Sequence, residues 1–287
     1  MELVIAEPHG MCSGVARALR IARRTLEEHP GQALWCFHEI VHNAHVVSDL
    51  ARRGVRFVND LAQVPPASRL LFSAHGVSPE IRARAAERQL EVIDATCPFV
   101  AKVHAEAKAF AAQALPIALI GHKGHDEVVG ILGEAPDQIR VIETAEDVRA
   151  LREALPEATD LALLSQTTVS GEMFASRLAD LRAAGFIPRL PAHRDICYAT
   201  QERQDAVRDL ARRVEHLIVL GSRTSSNSKR LVEVAQNAGC PATLIDNPAE
   251  LVHLDLAGIQ RLGLTSGAST PEELLTEVAQ TLRARAH

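Results

Sequence analysis

The chain repeats one pattern of apolar and polar positions. A short apolar run is followed by a loop rich in glycine, serine, threonine or histidine, and usually then by a segment with the period of an amphipathic helix. The apolar runs stand out at Leu70–Phe72, Ile117–Ile120, Leu161–Leu164, Leu217–Leu220 and Leu262–Leu264. Runs of this length that alternate with helices are typical of parallel strands covered on both faces. The sequence therefore predicts an α/β fold built on parallel sheets.

Local sequence marks two helix starts. Ser78-Pro79-Glu80 and Thr270-Pro271-Glu272 each place a hydroxyl residue at the N-cap, proline at the first helical position and an acid in the first turn. We therefore expect helices to begin at Pro79 and Pro271.

The number of strand-like runs predicts more than one sheet. The sequence contains about ten or eleven such runs, more than one ordinary doubly wound sheet holds. Cys12, Cys97 and Cys197 lie in loops of similar character, at intervals of 85 and 100 residues. This spacing predicts three similar α/β lobes with small parallel sheets. The predicted divisions are an N-terminal segment (1–13) that carries Cys12, lobe 1 (14–97), lobe 2 (98–194) and lobe 3 with the C-terminal segment (195–287).

Composition narrows the classes of function. The 287 residues carry a net charge of −5 and 3% of them are aromatic, so the chain lacks the basic footprint and the stacking platforms of a nucleic-acid binder. No apolar run approaches the ~18 residues of a membrane-spanning helix. Glu2 and Glu7 stand where a signal peptide has basic and apolar segments. The sequence predicts a cytoplasmic protein with no nucleic-acid and no membrane partner.

The five cysteines divide into two groups. Their odd number and wide spacing argue against a disulfide framework. Cys12, Cys97 and Cys197 lie just after or beside strand ends, where α/β proteins bind ligands, so three thiolates could meet at an iron–sulfur cluster with one open iron. No C-x-x-C pair is present, and on spacing alone structural cysteines are the favoured alternative. Cys36 and Cys240 lie in apolar or tightly turned surroundings, and we predict that both are structural.

Histidines occupy several strand-end loops. His42, His75 and His125 lie in equivalent positions, which favours a shared anionic ligand because histidine can donate hydrogen bonds to phosphate. His42 with His45, and His122 with His125, have H-x-x-H spacing, which also occurs in zinc sites. The H-x-x-H pattern is common by chance and neither pair has a third ligand nearby in sequence, so zinc stays an alternative.

Two hydroxyl-rich segments precede helices. Gly221–Lys229 and Ser266–Thr270 combine serine and threonine hydroxyls with helix N-termini, where backbone N–H groups bind phosphate. The alternative is an N-cap loop that needs only one hydroxyl.

Glu127 lies two residues after His125, and Gln166-Thr167-Thr168 forms another strand-end loop. A carboxylate beside a strand-end histidine could donate a proton if burial raised its pKa, and a solvated helix-start acid is an alternative that local sequence favours at least as much.

Together these stretches resemble the 4-hydroxy-3-methylbut-2-enyl diphosphate reductase family. The resemblance covers the whole chain in nine motifs: HGMCSGV, EIVHN, FSAHGVSP, DATCPFVAKVH, GHKGHDEVVG, SQTTVS, DICYATQERQ, GSRTSSNSKRL and LTSGASTPEEL. It implies an oxidoreductase that dehydroxylates (E)-4-hydroxy-3-methylbut-2-enyl diphosphate to isopentenyl and dimethylallyl diphosphate, the last step of the methylerythritol phosphate pathway. Reduced ferredoxin or flavodoxin is the implied electron donor.

The resemblance also implies roles for individual residues. Cys12, Cys97 and Cys197 are the implied ligands of one [4Fe–4S] cluster per chain, with one iron not ligated by cysteine and three lobes around the cluster. Glu127 is the implied catalytic acid, with Thr167 as its hydroxyl relay and His125 beside it. The implied diphosphate-binding residues are His42, His75, His125, Ser225, Ser226, Asn227 and Ser269.

Four positions depart from the family pattern. Asp126 stands where proline is usual, Glu202 and Thr224 where asparagine is usual, and Ser266 where alanine is usual. None is an implied ligand or the acid, although Asp126 adds negative charge beside the diphosphate residues.

Two other functions are alternatives to the reductase. One is a zinc-dependent hydrolase of a phosphorylated substrate, and the other is a non-catalytic iron–sulfur sensor, which has no need of two hydroxyl-rich loops.

Overall fold

The computed structural model describes residues 1–285, whose chain divides into two compact units. Unit 1 comprises Met1–Ala16, Val41–Asp49 and the segment from Tyr198 onward, and unit 2 comprises Arg17–Ile40 and Leu50–Cys197. Two helices, α1 (Ser13–Glu28) and α2 (Ala44–Arg52), begin in unit 1 and continue into unit 2.

Unit 1 contains one four-stranded parallel sheet. Its strands are β1 (Glu2–Ile5), β10 (His216–Leu220), β11 (Ala242–Ile245) and β12 (Arg261–Ser266), in the order β1-β12-β10-β11. Its further helices are α8 (Tyr198–Ala211), α9 (Ser226–Asn237) and α10 (Glu272–Arg285).

Both faces of this sheet are buried. Leu217 and Val219 pack with residues of α8 and α9, while Ile218 and Leu220 pack with residues of α10. Successive strand side chains point to opposite faces, so an unbroken apolar run such as LIVL suits a strand covered on both sides.

Unit 2 contains two four-stranded parallel sheets. The first has the order β3-β2-β4-β5, and its strands are β2 (Leu34–Phe37), β3 (Val55–Val58), β4 (Arg69–Phe72) and β5 (Glu91–Asp94). The second has the order β7-β6-β8-β9, and its strands are β6 (Ile117–Ile120), β7 (Ile139–Ile142), β8 (Asp160–Ser165) and β9 (Ile187–Arg189). The helices that lie wholly in unit 2 are α3 (Pro79–Glu87), α4 (Pro98–Ala112), α5 (Asp126–Leu132), α6 (Ala145–Ala154) and α7 (Gly171–Ala183).

The predicted fold class is confirmed. Three small parallel sheets with covering helices fit three α/β lobes, and all five apolar runs named above form strands. The described residues contain twelve strands rather than ten or eleven. A strand such as β9, with mainly exposed residues, lacks the apolar run by which strands were counted. The boundaries at residues 13, 97 and 194 stay a prediction.

One of the two predicted helix starts is correct. Ser78 is the N-cap of α3, and its hydroxyl accepts a hydrogen bond from the Ile81 N–H. The second prediction is wrong by one residue, because α10 begins at Glu272 and not at Pro271. The Thr270 hydroxyl donates instead to the Leu220 carbonyl at 3.1 Å, a partner that lies 50 residues away. Among the described helices, none is both long and apolar enough to cross a membrane.

Candidate functional site

The residues that the sequence singled out lie mainly in strand-end loops. Parallel strands in one sheet end at the same edge, so loops that follow them share that edge. In unit 1 these residues, with the preceding strand, are Cys12 (β1), Ser225, Ser226 and Asn227 (β10) and Ser269 (β12). In unit 2 they are His75 (β4), Cys97 (β5), His125 and Glu127 (β6), Thr167 (β8) and Cys197 (β9). His42 belongs to the Val41–Asp49 segment of unit 1.

Cys12, Cys97 and Cys197 occupy the same kind of position. Each directly precedes a helix, α1, α4 and α8 respectively, and each is partly exposed. The Cys12 sulfur accepts a hydrogen bond from the Val15 N–H at 3.5 Å, and Cys97 is the N-cap residue of α4. Helix N-termini favour negative charge, so these positions suit thiolates.

The other two cysteines have the opposite environment. Cys36 on β2 is fully buried, and Cys240 is 3% exposed in the unit 1 core. Burial raises the pKa of both thiols, which keeps them neutral. The prediction that these two are structural agrees with this burial.

The three half-exposed cysteines fit an iron–sulfur cluster by the chemistry of their donors. Cluster iron binds cysteine thiolate, and the five cysteines, all within the described chain, are thiols and not disulfides. A backbone hydrogen bond holds each of the three cysteines. The N–H of Cys12 donates to the carbonyl of Ala268, that of Cys97 to the carbonyl of Ala74, and that of Cys197 to the carbonyl of Thr167. The backbone of each cysteine is therefore fixed to a neighbouring strand-end loop.

Glu127 is a buried acid held by Thr167. The Thr167 N–H donates to one carboxylate oxygen at 2.6 Å, and the Thr167 hydroxyl donates to the other at 3.0 Å. Burial raises the pKa of Glu127 to about 7, although the two hydrogen bonds from Thr167 oppose the rise. The solvated-acid alternative is thereby excluded. A carboxyl with this pKa can both hold and release a proton near neutral pH.

Asp195 is a second buried carboxylate, which the sequence did not point out. It is 5% exposed and accepts hydrogen bonds from the Lys102 ammonium at 2.8 Å and the Ser165 N–H at 2.9 Å. Burial raises its pKa, and its charge further raises the pKa of Glu127. The one sequence signal was its place two residues before Cys197, and an acid in a loop is ordinarily solvated.

His75 and His125 lie side by side in unit 2. Their ring centroids are 5.6 Å apart and their planes are inclined at 79°. His125 Nδ1 accepts a hydrogen bond from the Glu127 N–H at 3.2 Å, so the neutral ring carries its proton on Nε2. That nitrogen can donate to an anion.

Asp126 brings a negative charge to these histidines. One carboxylate oxygen lies 2.6 Å from His38 Nδ1, and the other lies 3.8 Å from His75 Nδ1. A proline at this position would carry no charge. His38 did not stand out in the sequence, because its role here depends on Asp126, which is 88 residues away.

Unit 1 assembles the serine-rich residues around the start of α9. Ser225 is the N-cap residue, and its hydroxyl accepts a hydrogen bond from the Ser228 N–H. The Ser269 hydroxyl donates to the His42 carbonyl at 3.2 Å. A Cβ at Gly267 would meet the Ser228 hydroxyl, so this loop approaches α9 closely. His42, Ser269 and the start of α9 are thus neighbours within unit 1.

Several polar atoms in this region are buried without a protein partner. Within the described part of the chain, neither polar side-chain atom of Asn227 makes a hydrogen bond, nor do the hydroxyls of Ser228 and Ser266. Asn227 is 4% exposed. Unsatisfied buried polar groups are costly, and such a cluster suits a polar ligand. The N-cap alternative accounts for Ser225 only.

The contacts of the H-x-x-H histidines do not favour zinc. His122 Nδ1 lies 3.0 Å from a Glu143 carboxylate oxygen, and His45 Nε2 lies 3.2 Å from the Asp246 carbonyl. One histidine of each pair is thus held by a group outside the pair.

The chain is similar to known proteins over nearly its whole length. A model of the LytB protein family matches residues 3–283. The 4-hydroxy-3-methylbut-2-enyl diphosphate reductase of Ralstonia nicotianae is 46% identical over 283 residues, which cover 99% of this chain and 86% of that protein. The protein of the same name from Neisseria meningitidis serogroup B is 46% identical over 286 residues, which cover 99% of this chain and 88% of that protein.

Two solved structures are also similar. The E-1-hydroxy-2-methyl-but-2-enyl-4-diphosphate reductase of Plasmodium falciparum matches with a TM-score of 0.93 and 36% identity, over 98% of this chain and 87% of that one. An (E)-4-hydroxy-3-methyl-but-2-enyl diphosphate reductase, described as the terminal enzyme of the non-mevalonate pathway, matches with a TM-score of 0.68 and 28% identity, over 99% of both chains.

Proposed function

The chain belongs to the LytB protein family, and we propose that it is a 4-hydroxy-3-methylbut-2-enyl diphosphate reductase. It takes (E)-4-hydroxy-3-methylbut-2-enyl diphosphate, two electrons and two protons, and releases water with isopentenyl or dimethylallyl diphosphate. The observation that carries the proposal is the whole-chain similarity to reductases of that name, joined to a buried acid, Glu127, held at both oxygens by Thr167.

Proteins of this family are iron–sulfur enzymes. We propose that Cys12, Cys97 and Cys197 hold one [4Fe–4S] cluster per chain, with one iron not ligated by cysteine. When bound, the cluster would supply the electrons and a Lewis-acidic iron. Three thiol positions at helix N-termini support this assignment. Reduced ferredoxin or flavodoxin is the proposed electron donor, and a cytoplasmic location stays a prediction.

The diphosphate is assigned to histidine, serine and asparagine side chains of the strand-end loops. We propose that the residues that bind it are His42, His75, His125, Ser225, Ser226, Asn227 and Ser269. The unsatisfied side-chain amide N–H of Asn227 and the backbone N–H groups at the N-terminus of α9 supply donors for an anion. Each hydrogen bond to a charged group contributes ~1.5–3 kcal/mol, so a few of them suffice for micromolar binding.

Glu127 is the proposed proton donor for the departing hydroxyl. The Thr167 hydroxyl lies 3.0 Å from a Glu127 carboxylate oxygen and can pass a proton from that oxygen to the substrate oxygen. Protonation turns the hydroxyl into water, a better leaving group. His125 positions Glu127, because its Nδ1 accepts a hydrogen bond from the Glu127 N–H.

The pH dependence of turnover follows from the raised pKa of Glu127. The protonated acid is the donor, and burial raises its pKa to about 7. Turnover should therefore be high below that value and fall as pH rises through it, by up to about tenfold per pH unit above it. We expect this fall in kcat measured anaerobically with a chemical reductant. A rate that rises through pH 7 to 9 would show that Glu127 acts as a base.

Asn227→Ala tests the diphosphate assignment. We expect the KM for the diphosphate substrate to rise about ten- to a hundredfold, because a hydrogen bond to a charged ligand is lost. The free energy of unfolding should change by less than about 1 kcal/mol, since the amide has no partner in the described chain. Asn237→Ala, at the other end of α9, is the matched control and should leave KM unchanged. An unchanged KM in Asn227→Ala would remove Asn227 from the site.

Asp126→Asn tests the effect of the charge beside His75. We expect the KM for the diphosphate substrate to fall about three- to tenfold, because a carboxylate near the anion is neutralised at nearly constant shape. The difference should shrink at high ionic strength. Asp137→Asn controls for net charge, because Asp137 precedes β7 and lies toward the opposite edge of its sheet. A rise in KM would mean that Asp126 serves binding by holding His38 and His75.

The proposed function is tested on the wild-type protein after anaerobic purification. About four iron and four sulfide per chain, with conversion of the allylic diphosphate to both products by a chemical reductant, are expected. Zinc without sulfide would favour the hydrolase alternative. A loaded cluster without turnover would favour the sensor alternative.

A further inference from the structure

Each of the three proposed cluster cysteines is followed by a helix that carries a basic residue in its first two turns. Arg17 lies five residues after Cys12 on α1, Lys102 lies five residues after Cys97 on α4, and Arg203 lies six residues after Cys197 on α8. The three helices belong to different parts of the chain, so the shared spacing is not the product of one local motif.

Each of these basic side chains donates hydrogen bonds to the loop that carries another of the cysteines. The Arg17 guanidinium donates to the Thr96 carbonyl at 3.0 Å, one residue before Cys97. The Lys102 ammonium donates to the His193 carbonyl at 2.9 Å and to the Asp195 carboxylate at 2.8 Å, both just before Cys197.

Arg203 completes the order by holding the loop of Cys12. Its guanidinium donates to the Gly10 carbonyl at 2.7 and 3.1 Å and to the His9 carbonyl at 3.3 Å. The helix that follows Cys12 thus holds the loop of Cys97, and the helix that follows Cys97 holds the loop of Cys197. The helix that follows Cys197 holds the loop of Cys12. A set of ordinary loop-stabilising contacts has no reason to connect all three cysteine loops in this order.

Arg203 also carries a buried charge. It is 5% exposed, and every hydrogen-bond partner that the described chain gives it is a backbone carbonyl, including Ala199 at 2.8 Å. A buried cation without a carboxylate is costly. A cluster with three thiolate ligands is an anionic group, and a nearby cation favours its reduced form. Lys102 differs, because Asp195 and Glu106 balance its charge.

We propose that Arg17, Lys102 and Arg203 are positioning residues for the iron–sulfur cluster, each fixing the loop of one ligand cysteine from the helix that follows another. Arg203 in addition raises the reduction potential of the cluster through its buried charge. The inference rests on the proposed function, because it assumes that the three cysteines are cluster ligands.

The test compares Arg203→Met with Arg203→Lys and with Arg88→Met in the full-length, anaerobically purified protein. Arg88 is the matched control, because its guanidinium also donates to a loop carbonyl, that of Val64 at 2.6 Å, in a loop without a cysteine. Iron and sulfide per chain, the rate of cluster loss on exposure to air, and the midpoint potential from a redox titration followed by electron paramagnetic resonance are measured.

Arg203→Met should lose its cluster at least about tenfold faster than wild type, because residues that orient metal ligands have effects of that size. The midpoint potential of its cluster should be lower than that of wild type. Arg203→Lys keeps the charge and should recover the potential, and Arg88→Met should match wild type in every readout. The midpoint potential reports the buried charge of Arg203, and the rate of cluster loss reports the positioning of the loop. Should Arg203→Met fail to fold, Arg17→Met carries the test, because it removes one hydrogen bond from a partly exposed residue.

Two outcomes separate the inference from the proposed function. A loaded wild-type cluster with unchanged lifetime and potential in Arg203→Met, or unchanged lifetime in Arg17→Met, overturns the inference alone. A wild-type chain that holds no iron and sulfide even after anaerobic reconstitution overturns the proposed function, and the inference with it.

Discussion

Glu127→Gln should lower turnover of the allylic diphosphate by about 10² to 10⁴-fold while the iron and sulfide content stays at the wild-type level. Glutamine keeps the size of the side chain and its carbonyl can still accept a hydrogen bond from the Thr167 N–H, but it has no acidic proton to give. The loss should appear in kcat and not in KM, because Glu127 is assigned to proton transfer and not to binding of the diphosphate. The measurement is steady-state kinetics under anaerobic conditions with a chemical reductant.

Two controls exclude a failure of folding. Glu134→Gln changes another acid whose side chain is only 3% exposed, paired with His104 and Lys108, and should stay within about threefold of wild-type turnover. Burial raises the pKa of Glu127, so its ionised form is destabilising above pH 7, and Glu127→Gln should be at least as stable as wild type at pH 8 to 9. Wild-type turnover in Glu127→Gln would remove the acid role.

Cys197→Ser should lose most of its iron and sulfide, and turnover with them. A serine hydroxyl is a poor ligand for cluster iron, and two thiolates hold a [4Fe–4S] cluster weakly. Cys197 is also fixed by its N–H to the Thr167 carbonyl. Its replacement removes a proposed ligand whose backbone is bonded to Thr167, the residue that holds Glu127. Iron and acid-labile sulfide per chain, measured after anaerobic reconstitution, report the loss.

Cys240→Ser is the matched control for this variant. Cys240 lies in the unit 1 core, and its thiol donates weakly to the Pro241 and Val214 carbonyls, which a serine hydroxyl can also reach. It should keep the full content of iron and sulfide. Equal iron and sulfide content in Cys197→Ser and Cys240→Ser would show that Cys197 is a structural residue and not a cluster ligand.

The fold class was accessible from local sequence because its determinants are local. An apolar run such as Ile117–Ile120 has to be buried on both faces, and a serine before proline, as at Ser78, caps a helix by a bond to its own first turn. Thr270 had the same local signature, yet its hydroxyl donates to the Leu220 carbonyl, a neighbour supplied by the sheet. A local sequence pattern mispredicts the helix cap where the hydroxyl bonds to a carbonyl that is distant in sequence.

The character of the acid was not accessible from local sequence. Glu127 stands at a helix start where most acids are solvated, and it differs from them because it is buried and accepts hydrogen bonds from Thr167. Asp195 and Arg203 are similar cases, since each is a charged residue that would be exposed on an isolated helix or loop. Burial depends on partners 30 to 193 residues away, and no local window of sequence contains them.

The sequence by itself determined the alternation of strands and helices, the division of the cysteines into loop and core positions, and the motifs that resemble one reductase family. These features depend on residue type, spacing and order along the chain. The tertiary structure alone decided that Glu127 is desolvated and has a raised pKa, that Asn227 is buried without a protein partner, and that Arg17, Lys102 and Arg203 hold the cysteine loops in turn. Desolvation and hydrogen bonding are set by what surrounds an atom, and those surroundings exist only once the chain has folded.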